Sequence, residues 1–248
     1  MNETPAYVIF GAAGGIGSAL CQQLAAKGSR LLLVGRNPER LEHLKSELPA
    51  GDYRTFAADA TVSAEVESAF AEAQLAFGSI AGAANLVGSI ILKSAHTTTD
   101  AEFEQTLSLN TRTAFYVLRS SAKAMLNTGG SIVLMSSVAA NIGLMNHEAI
   151  AAAKGAINGM VLSAAATYAP RNIRVNAIAP GLVRTPLAAR ITGNEAALKA
   201  STAMHPLGRI GEPDDVATPL AWLLDPKTTW VTGQILNIDG GMATVRAK

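Results

Sequence analysis

Cysteine is almost absent from this sequence, since Cys21 is the one cysteine in 248 residues. No disulfide can form within the chain, and chains of this kind are typical of reducing compartments, so we expect a cytoplasmic protein. The four histidines are scattered along the sequence and do not have the spacing of a ligand cluster. The sequence therefore predicts no metal site.

An excess of charge of one sign is also missing. The 20 lysines and arginines against 19 acidic residues leave a net charge of +1, so nothing indicates a nucleic-acid partner or an anionic membrane surface. The apolar runs are only as long as strands and are broken by glycine, and the polar start Met1–Tyr7 does not resemble a signal peptide. We therefore expect no membrane association.

Short apolar runs alternate regularly with longer amphipathic stretches along the chain. The runs predicted to be strands are Tyr7–Phe10, Leu31–Val34, Tyr53–Ala57, Ile80–Leu86, Ser131–Ser136, Ile173–Ala179 and Ile235–Ile238. The stretches predicted to be helices are Ile16–Ala26, Pro38–Glu47, Ser63–Phe77, Asp100–Leu126 and Glu148–Tyr168, the last two with approximate bounds.

Strict alternation of strand and helix implies right-handed crossovers and a parallel sheet covered by helices on both faces. We therefore predict an α/β protein with a doubly wound, seven-stranded parallel sheet. No linker or repeat divides the sequence, and 49% hydrophobic residues suffice for a large core, so residues 1–248 are expected to form a single domain. A long irregular stretch is predicted between Pro180 and Pro213, with a substrate loop at about 182–212.

The first predicted strand ends in a glycine-rich turn. The turn contains Gly11, Gly15, Ile16 and Gly17, with the spacing G-x-x-x-G-x-G. Glycines permit a tight turn and a close backbone approach to a pyrophosphate, which the N-terminus of the following helix attracts. An ordinary flexible strand–helix turn would have similar spacing, but the position in the first βα unit favours a dinucleotide site of the Rossmann type.

This turn resembles the cofactor turn of the short-chain dehydrogenase/reductase family. Matching strings at Gly208–Ala217 and Val231–Gly241 extend the resemblance over nearly the whole chain. Phe10 stands where the family usually has a threonine, so a hydrogen bond that stabilises the turn is expected to be missing. The resemblance implies a Rossmann-type fold, a nicotinamide cofactor, oxidoreductase activity on a carbonyl or secondary alcohol, and assembly into a homotetramer or homodimer.

The end of the second predicted strand indicates which cofactor is bound. NAD-selective Rossmann domains have an acidic residue there, but this sequence reads Gly35-Arg36-Asn37. A guanidinium group is well shaped to pair with a 2′-phosphate, so Arg36 predicts NADP(H) in preference to NAD(H), with a solvated surface arginine as the alternative. By resemblance, Asp59 lies near the adenine ring, although a turn or helix N-cap residue is also expected at such a position.

Two further segments match the family's cofactor site. Asn85 and Gly88 follow the fourth predicted strand, where the resemblance places the wall beside the cofactor. The segment that the resemblance expects to close over the nicotinamide contains Pro180, Gly181, Val183 and Thr185.

The family's chemistry uses a serine, a tyrosine, a lysine and an asparagine. The resemblance assigns Ser137 to the substrate oxygen, Lys154 to the nicotinamide ribose, and Asn110 to a water chain that reaches the lysine. The family motif Y-x-x-x-K places the tyrosine at position 150, but this chain has Ile150, and no tyrosine elsewhere precedes a lysine by four residues. Loss of a general acid typically costs about 10²–10⁴ in rate.

His147 is the candidate replacement for the missing acid. It lies one helical turn before Ile150, about 60° away around the helix, and imidazole titrates near neutral pH. A surface or helix-terminal histidine is the alternative, and Lys154 with a pKa lowered by burial is a second candidate acid. Three functions stay open: an oxidoreductase with non-standard or impaired proton transfer, a catalytically weak cofactor-binding sensor or partner subunit, and another reaction on the same fold.

The segments expected to surround the substrate, Val138–Met145 and Leu187–Met204, are rich in apolar side chains. The side chains predicted to line the pocket are Ile142, Leu144, Met145, Leu187, Ile191 and Met204. No arginine cluster marks a phosphate or polycarboxylate substrate, so we expect a small apolar carbonyl or alcohol.

Overall fold

All the strands belong to one sheet in the computed structural model, which describes residues 4–246. The strands are β1 (Ala6–Phe10), β2 (Arg30–Gly35), β3 (Tyr53–Ala57), β4 (Gly82–Asn85), β5 (Gly130–Met135), β6 (Ile173–Pro180) and β7 (Ile235–Ile238). Their order in the sheet is β3-β2-β1-β4-β5-β6-β7, and every neighbouring pair is parallel. The predicted fold class, a Rossmann-type doubly wound parallel sheet of seven strands, is confirmed.

Helices cover both faces of this sheet. They are α1 (Gly15–Ala26), α2 (Pro38–Glu47), α3 (Ser63–Phe77), α4 (Asp100–Leu107), α5 (Thr113–Met125), α6 (Glu148–Tyr168), α7 (Ala189–Thr192), α8 (Glu195–Ala203) and α9 (Pro213–Leu224). Short 3₁₀ turns lie at Ala95–Thr97, Val138–Ala140, Ala169–Arg171 and Pro186–Ala188.

Alternation of side chains along the strands divides the apolar core into two layers. In β1, Val8 and Phe10 pack with α3, α5 and α6, whereas Tyr7 and Ile9 pack with α1 and α9 on the other face. Successive residues of a strand point to opposite faces, so a strand covered on both sides must be apolar at every position. The continuous apolar run of β1 therefore indicates a central strand.

The helix predicted over Asp100–Leu126 is in fact interrupted. A π-helical segment, Ser108–Arg112, separates α4 from α5. The extra residue shifts the helical period only locally, so the apolar pattern does not reveal it. Such segments are frequent at functional sites, and this one contains Asn110.

The prediction of an irregular stretch between Pro180 and Pro213 is wrong. This stretch contains a 3₁₀ turn and the helices α7 and α8, and α9 begins at its end without having been predicted. None of the nine described residues of α8 is buried, so the helix leaves no apolar periodicity in the sequence. Pro219 lies inside α9, and proline inside a helical pattern normally signals a helix end.

One helical segment, Glu148–Arg171, is long and apolar enough to cross a membrane by length and composition. It comprises α6 and the following 3₁₀ turn. Ile157 and Val161 of this segment are buried in the layer that covers the sheet, and α6 packs along β6. Core helices of α/β sheets have the same length and composition, and the expectation of no membrane association stays a prediction.

Candidate cofactor and active site

The carboxyl ends of the neighbouring strands β1 and β4 form the centre of the candidate site. α1, which follows β1, packs on one face of the sheet, whereas α5, which follows β4, packs on the other. Doubly wound sheets bind ligands in the crevice at such a point of divergence. The residues that the sequence analysis selected for the cofactor and for catalysis lie at or next to this edge of the sheet.

The glycine-rich turn has no room for side chains at two of its positions. Gly11 has a φ of +77°, a conformation that side chains rarely permit. A Cβ atom on Gly17 would lie 2.2 Å from the carbonyl oxygen of Gly11, which also accepts the N–H of Gly14 at 3.0 Å. Ile16 packs against the apolar layer beneath. The turn therefore exposes bare backbone at the N-terminus of α1, which suits a pyrophosphate.

The segment after β6 reaches across to this turn. Pro180 ends β6, and the N–H of Gly181 donates to β7 at 3.1 Å. Val183 is buried, and a Cβ atom on Gly15 would lie 2.8 Å from the Cγ2 atom of Thr185. The predicted pyrophosphate turn and the segment predicted to close over the nicotinamide therefore lie side by side.

The ends of β2 and β3 hold the two residues predicted to bind the adenosine. Arg36 is exposed and makes no hydrogen bond with any residue that the structure describes. The carboxylate of Asp59 accepts the N–H of Thr61 at 2.8 Å and its hydroxyl at 2.7 Å. The N–H of Thr61 keeps the pKa of Asp59 below its usual range, and the Thr61 hydroxyl and the positive charge of Arg36 act in the same direction. Asp59 thus has the bonds of a turn residue and lies within electrostatic reach of Arg36.

Arg40 contacts the glycine-rich turn, which the sequence analysis did not anticipate. Its Nη2 atom donates to the carbonyl oxygen of Ala13 at 2.6 Å. Asn37 caps α2 by accepting the N–H of Arg40 at 2.9 Å, so the first turn of α2 is held next to the cofactor turn. The Asn37 cap of α2 can be predicted from the sequence, but the contact of the Arg40 side chain with another loop cannot. This bond ties down the turn that lacks a threonine hydroxyl at Phe10.

Lys154, Asn110 and Gly88 meet beside the end of β5. Lys154 is 5% exposed, and its Nζ atom donates to the carbonyl oxygen of Met135 at 2.8 Å. Burial lowers the pKa of Lys154 to about 7, because the charged form loses its hydration. A Cβ atom on Gly88 would lie 2.8 Å from Oδ1 of Asn110 and 3.3 Å from Nζ of Lys154. Lys154, Asn110 and Gly88, all selected from the sequence, therefore lie next to one another.

Two buried asparagines hold the loop that contains Gly88. Oδ1 of Asn110 accepts the N–H of Ser89 at 3.2 Å, and its Nδ2 donates to the Ser89 hydroxyl at 2.9 Å. Nδ2 of Asn85 donates to the Thr113 hydroxyl at 3.2 Å. These bonds connect the end of β4 to the junction of α4 and α5.

Ser137, His147 and Ile150 line one cavity of about 150 Å³. The Ser137 hydroxyl oxygen accepts the N–H of Ala139 at 3.2 Å, which leaves its proton available. Nδ1 of His147 lies 2.7 Å from the carbonyl oxygen of Met145. A carbonyl only accepts, so Nδ1 bears the proton, and Nε2 has no hydrogen-bond partner among the residues 4–246.

The rest of the cavity wall is mostly apolar, and none of the described side chains that line it is charged. Leu144, Ile191 and Met204 line it, as predicted from the sequence. The other three predicted side chains, Ile142, Met145 and Leu187, do not line it. Met145 is 85% exposed and Leu187 is 56% exposed, because each faces solvent from the outer side of its loop.

A buried histidine that the sequence analysis did not select also lines the cavity. His205 is 3% exposed and makes hydrogen bonds through both ring nitrogens. It precedes the string that starts at Gly208, and no spacing rule distinguishes a histidine there.

Comparison with known proteins identifies the family of this chain. Residues 11–243 match a family model described as enoyl-(acyl carrier protein) reductase. A structure of a short-chain type dehydrogenase/reductase from Mycobacterium ulcerans superposes with a TM-score of 0.93 at 32% identity, covering 99% of this chain and 92% of that chain. The chain belongs to the short-chain dehydrogenase/reductase family.

Other members of the short-chain dehydrogenase/reductase family are similar over nearly the full length. A galactitol 2-dehydrogenase (L-tagatose-forming) from Cereibacter sphaeroides is 34% identical over 238 residues, 94% of this chain and 92% of that protein. A crystal structure of levodione reductase has a TM-score of 0.92 at 31% identity and covers 99% of this chain and 100% of that chain. The predicted family is confirmed, and with it an oxidoreductase of the alcohol/carbonyl type that binds NAD or NADP.

Proposed function

We propose that this chain is an NADP(H)-dependent oxidoreductase that interconverts a small apolar carbonyl compound and its secondary alcohol. The observation that carries the proposal is the cavity of about 150 Å³, in which Ser137 and His147 face a mostly apolar wall without charged side chains among the residues described. The segment Gly181–Leu182, which follows β6, also lines it, so the cavity adjoins the cofactor crevice. A charged substrate would lose its hydration there without gaining a partner.

The polar groups of the cavity have complementary roles in this reaction. The bound nicotinamide supplies the hydride for reduction and accepts it in the reverse direction. The hydroxyl of Ser137 donates to the substrate oxygen and orients it. His147, when protonated at both ring nitrogens, gives the Nε2 proton to that oxygen as the carbonyl becomes an alcohol and keeps the hydrogen that Nδ1 donates to Met145; on oxidation Nε2 takes the proton back. Lys154, whose Nζ atom donates to the carbonyl of Met135, would hold the ribose hydroxyls of the bound cofactor.

Arg36 supports the preference for NADP(H). Its guanidinium is exposed at the end of β2, and no acidic residue stands at the end of that strand to bind unphosphorylated ribose. A 2′-phosphate would give this arginine a hydrogen-bonded anionic partner, which its side chain does not have among the described residues.

The test of the cofactor is binding of NADPH and of NADH to the purified protein, measured by nicotinamide fluorescence and by the shift in melting temperature. We expect NADPH to bind much more tightly. Arg36→Ala should weaken NADPH binding about 10- to 100-fold and leave NADH binding unchanged, because one charge-assisted contact is lost. Arg171→Ala, at an exposed arginine after α6, is the matched control. Equal binding of the two cofactors, or an Arg36→Ala variant that binds like the wild type, would refute the preference.

Ile150 supports a second candidate function. A site with an isoleucine at this position lacks the side chain by which the family transfers its proton. NADPH binding without turnover of any small ketone or secondary alcohol in a substrate screen would favour a cofactor-binding sensor or a partner subunit in a mixed oligomer.

We further propose a cytoplasmic protein that acts on a small molecule without a nucleic-acid or membrane partner. Residues 1–248 are proposed to form one domain, with a substrate loop at about 182–212 that includes α7 and α8. The proposed assembly is a homotetramer or homodimer.

A further inference from the structure

His205 connects two segments of the cavity wall through its two ring nitrogens. Nδ1 lies 2.6 Å from the carbonyl oxygen of Ser201, on α8. Nε2 lies 3.2 Å from the backbone nitrogen of Leu182, in the segment after β6. The imidazole therefore links the helix that forms one wall of the cavity to the strand end that forms another.

The two partners define the protonation state of the ring. The Ser201 carbonyl can only accept, so Nδ1 must carry a hydrogen, and the Leu182 N–H can only donate, so Nε2 must be free of one. His205 is therefore neutral in this arrangement. Protonation of Nε2 would place two N–H groups against each other and break the bond to Leu182.

Close packing fixes His205 in this place. A Cβ atom on Gly181 would lie 2.6 Å from Nε2, and one on Gly240 would lie 3.6 Å from Cβ of His205. The N–H of Leu207 donates to the carbonyl of Gly240 at 3.1 Å. The ring is thus packed between the ends of β6 and β7, whereas α8 itself has no buried residue among those described.

The charged groups around His205 are already engaged. On one side it shares a cavity with His147, and on the other with Arg209, Asp215 and Asp239. Arg209 and Asp215 pair at 2.8 Å. The carboxylate of Asp239 accepts N–H groups from its own loop at 2.9 Å and 2.8 Å. Among residues 4–246, no carboxylate bonds to the ring to compensate a positive charge.

We propose that His205 is a positioning residue that, in its neutral form, holds α8 and Met204 against the Leu182 segment and so keeps the substrate cavity closed. The assignment of the cavity to substrate rests on the proposed function, whereas the attachment of α8 does not. When the ring is protonated or its acceptor is removed, α8 detaches and the cavity wall opens.

Amide hydrogen exchange tests the attachment without cofactor or substrate. The reporters are the amide of Leu182 and the amides of α8, measured at one pH in the wild type and in variants of His205. Protection of the α8 amides should fall about 3- to 10-fold when a substitution of His205 removes one of the two hydrogen bonds of the ring. Amides of β1 should keep their protection, which separates local opening from a general loss of stability.

Two substitutions separate the roles of the ring nitrogens. His205→Asn keeps a donor near Nδ1 but has no acceptor for Leu182, so the amide of Leu182 and the amides of α8 should all lose protection. His205→Gln offers an oxygen near Nε2 but no donor near Nδ1, so the amide of Leu182 should stay protected while the amides of α8 lose protection. His96→Gln, at an exposed histidine, should behave as the wild type. Protection of the α8 amides equal to that of the wild type in both variants would overturn the proposal, and if one variant does not fold, the other decides.

Steady-state kinetics tests the consequence for the substrate. Once a carbonyl substrate is known, His205→Asn and His205→Gln should each raise KM about 3- to 10-fold with a smaller change in kcat, because each removes one of the two bonds of the ring, and His96→Gln should leave KM unchanged. If α8 opens as expected in exchange but no substrate is found, the proposed function fails and the positioning role of His205 stands. If KM and exchange are both unaffected in His205→Asn, the positioning role fails.

Discussion

At the scale of single residues, the identity of residue 150 decides which group can transfer a proton at this site. Ile150 removes the proton donor that the family resemblance places there, whereas Lys154 and Asn110 still meet beside the end of β5. Ribose binding alone would account for Lys154. His147 supplies a titratable group one turn earlier, with Nδ1 fixed by Met145 and Nε2 without a partner among the described residues. The geometry thus favours a substituted acid over an abandoned site.

Removal of the proposed acid gives a direct prediction. His147→Ala should lower kcat for carbonyl reduction by about 10²–10⁴, because general acid catalysis typically contributes this much. His147→Asn keeps a donor for Met145 and removes the titratable nitrogen, so its loss should be nearly as large, and the pH dependence of kcat should change shape. Stopped-flow measurement of NADPH oxidation gives kcat for each variant. His96→Asn, at an exposed histidine, is the control, and unchanged kinetics in both His147 variants would contradict the assignment.

Restoration of the tyrosine gives a prediction of opposite sign. Ile150→Tyr should raise kcat/KM on simple ketones by up to about 10²-fold, because the hydroxyl would come within reach of Lys154 four residues along the helix. Ile150→Phe adds the same ring without the hydroxyl and should give no gain. NADPH oxidation with a panel of ketones measures both. Equal rates in the two variants would mean that the pocket has diverged beyond this one side chain.

At the scale of elements, α6 shows why much of the site was predictable. Ile150 and Lys154 are four residues apart, and His147 lies three residues before Ile150 at the helix N-cap, so helical spacing alone places them on one side. The glycine-rich turn and the ends of β2, β4 and β6 lie at one edge of the sheet, because the carboxyl ends of parallel strands share an edge. Local pattern and a known topology suffice for such residues.

Other elements left no local signal. The π segment around Asn110 changes the helical period over one turn only, and none of the described residues of α8 is buried. Arg40 and His205 depend on contacts between loops that are far apart in the sequence, 27 residues from Arg40 to Ala13 and 23 residues from His205 to Leu182. A side chain whose partner is a distant backbone atom cannot be read from composition or period.

At the scale of the whole molecule, the surface has apolar side chains that a monomer would leave in water. Trp230, in the loop before β7, is 97% exposed, and Trp222 on α9 is 48% exposed. Leu162 on α6 and Phe115 on α5 are 57% and 47% exposed. Large exposed aromatic residues are typical of interfaces between subunits. A second copy of this chain is the partner that the proposed assembly requires.

The prediction for assembly is that the wild type has the mass of a dimer or tetramer in light scattering, and that Trp230→Arg lowers it. An arginine placed in the interface would lose its hydration on association without gaining a partner, so the free energy of association becomes less favourable. Tryptophan fluorescence also reports burial in the interface, and the chain has two tryptophans. In a variant that retains Trp222 as its single tryptophan, the emission should shift to longer wavelength when the subunits separate on dilution. Leu75→Arg changes a side chain that is 85% exposed on α3 and should leave the mass unchanged. A wild type that scatters as a monomer at all concentrations would contradict the assembly and would require Trp230 to contact some other partner.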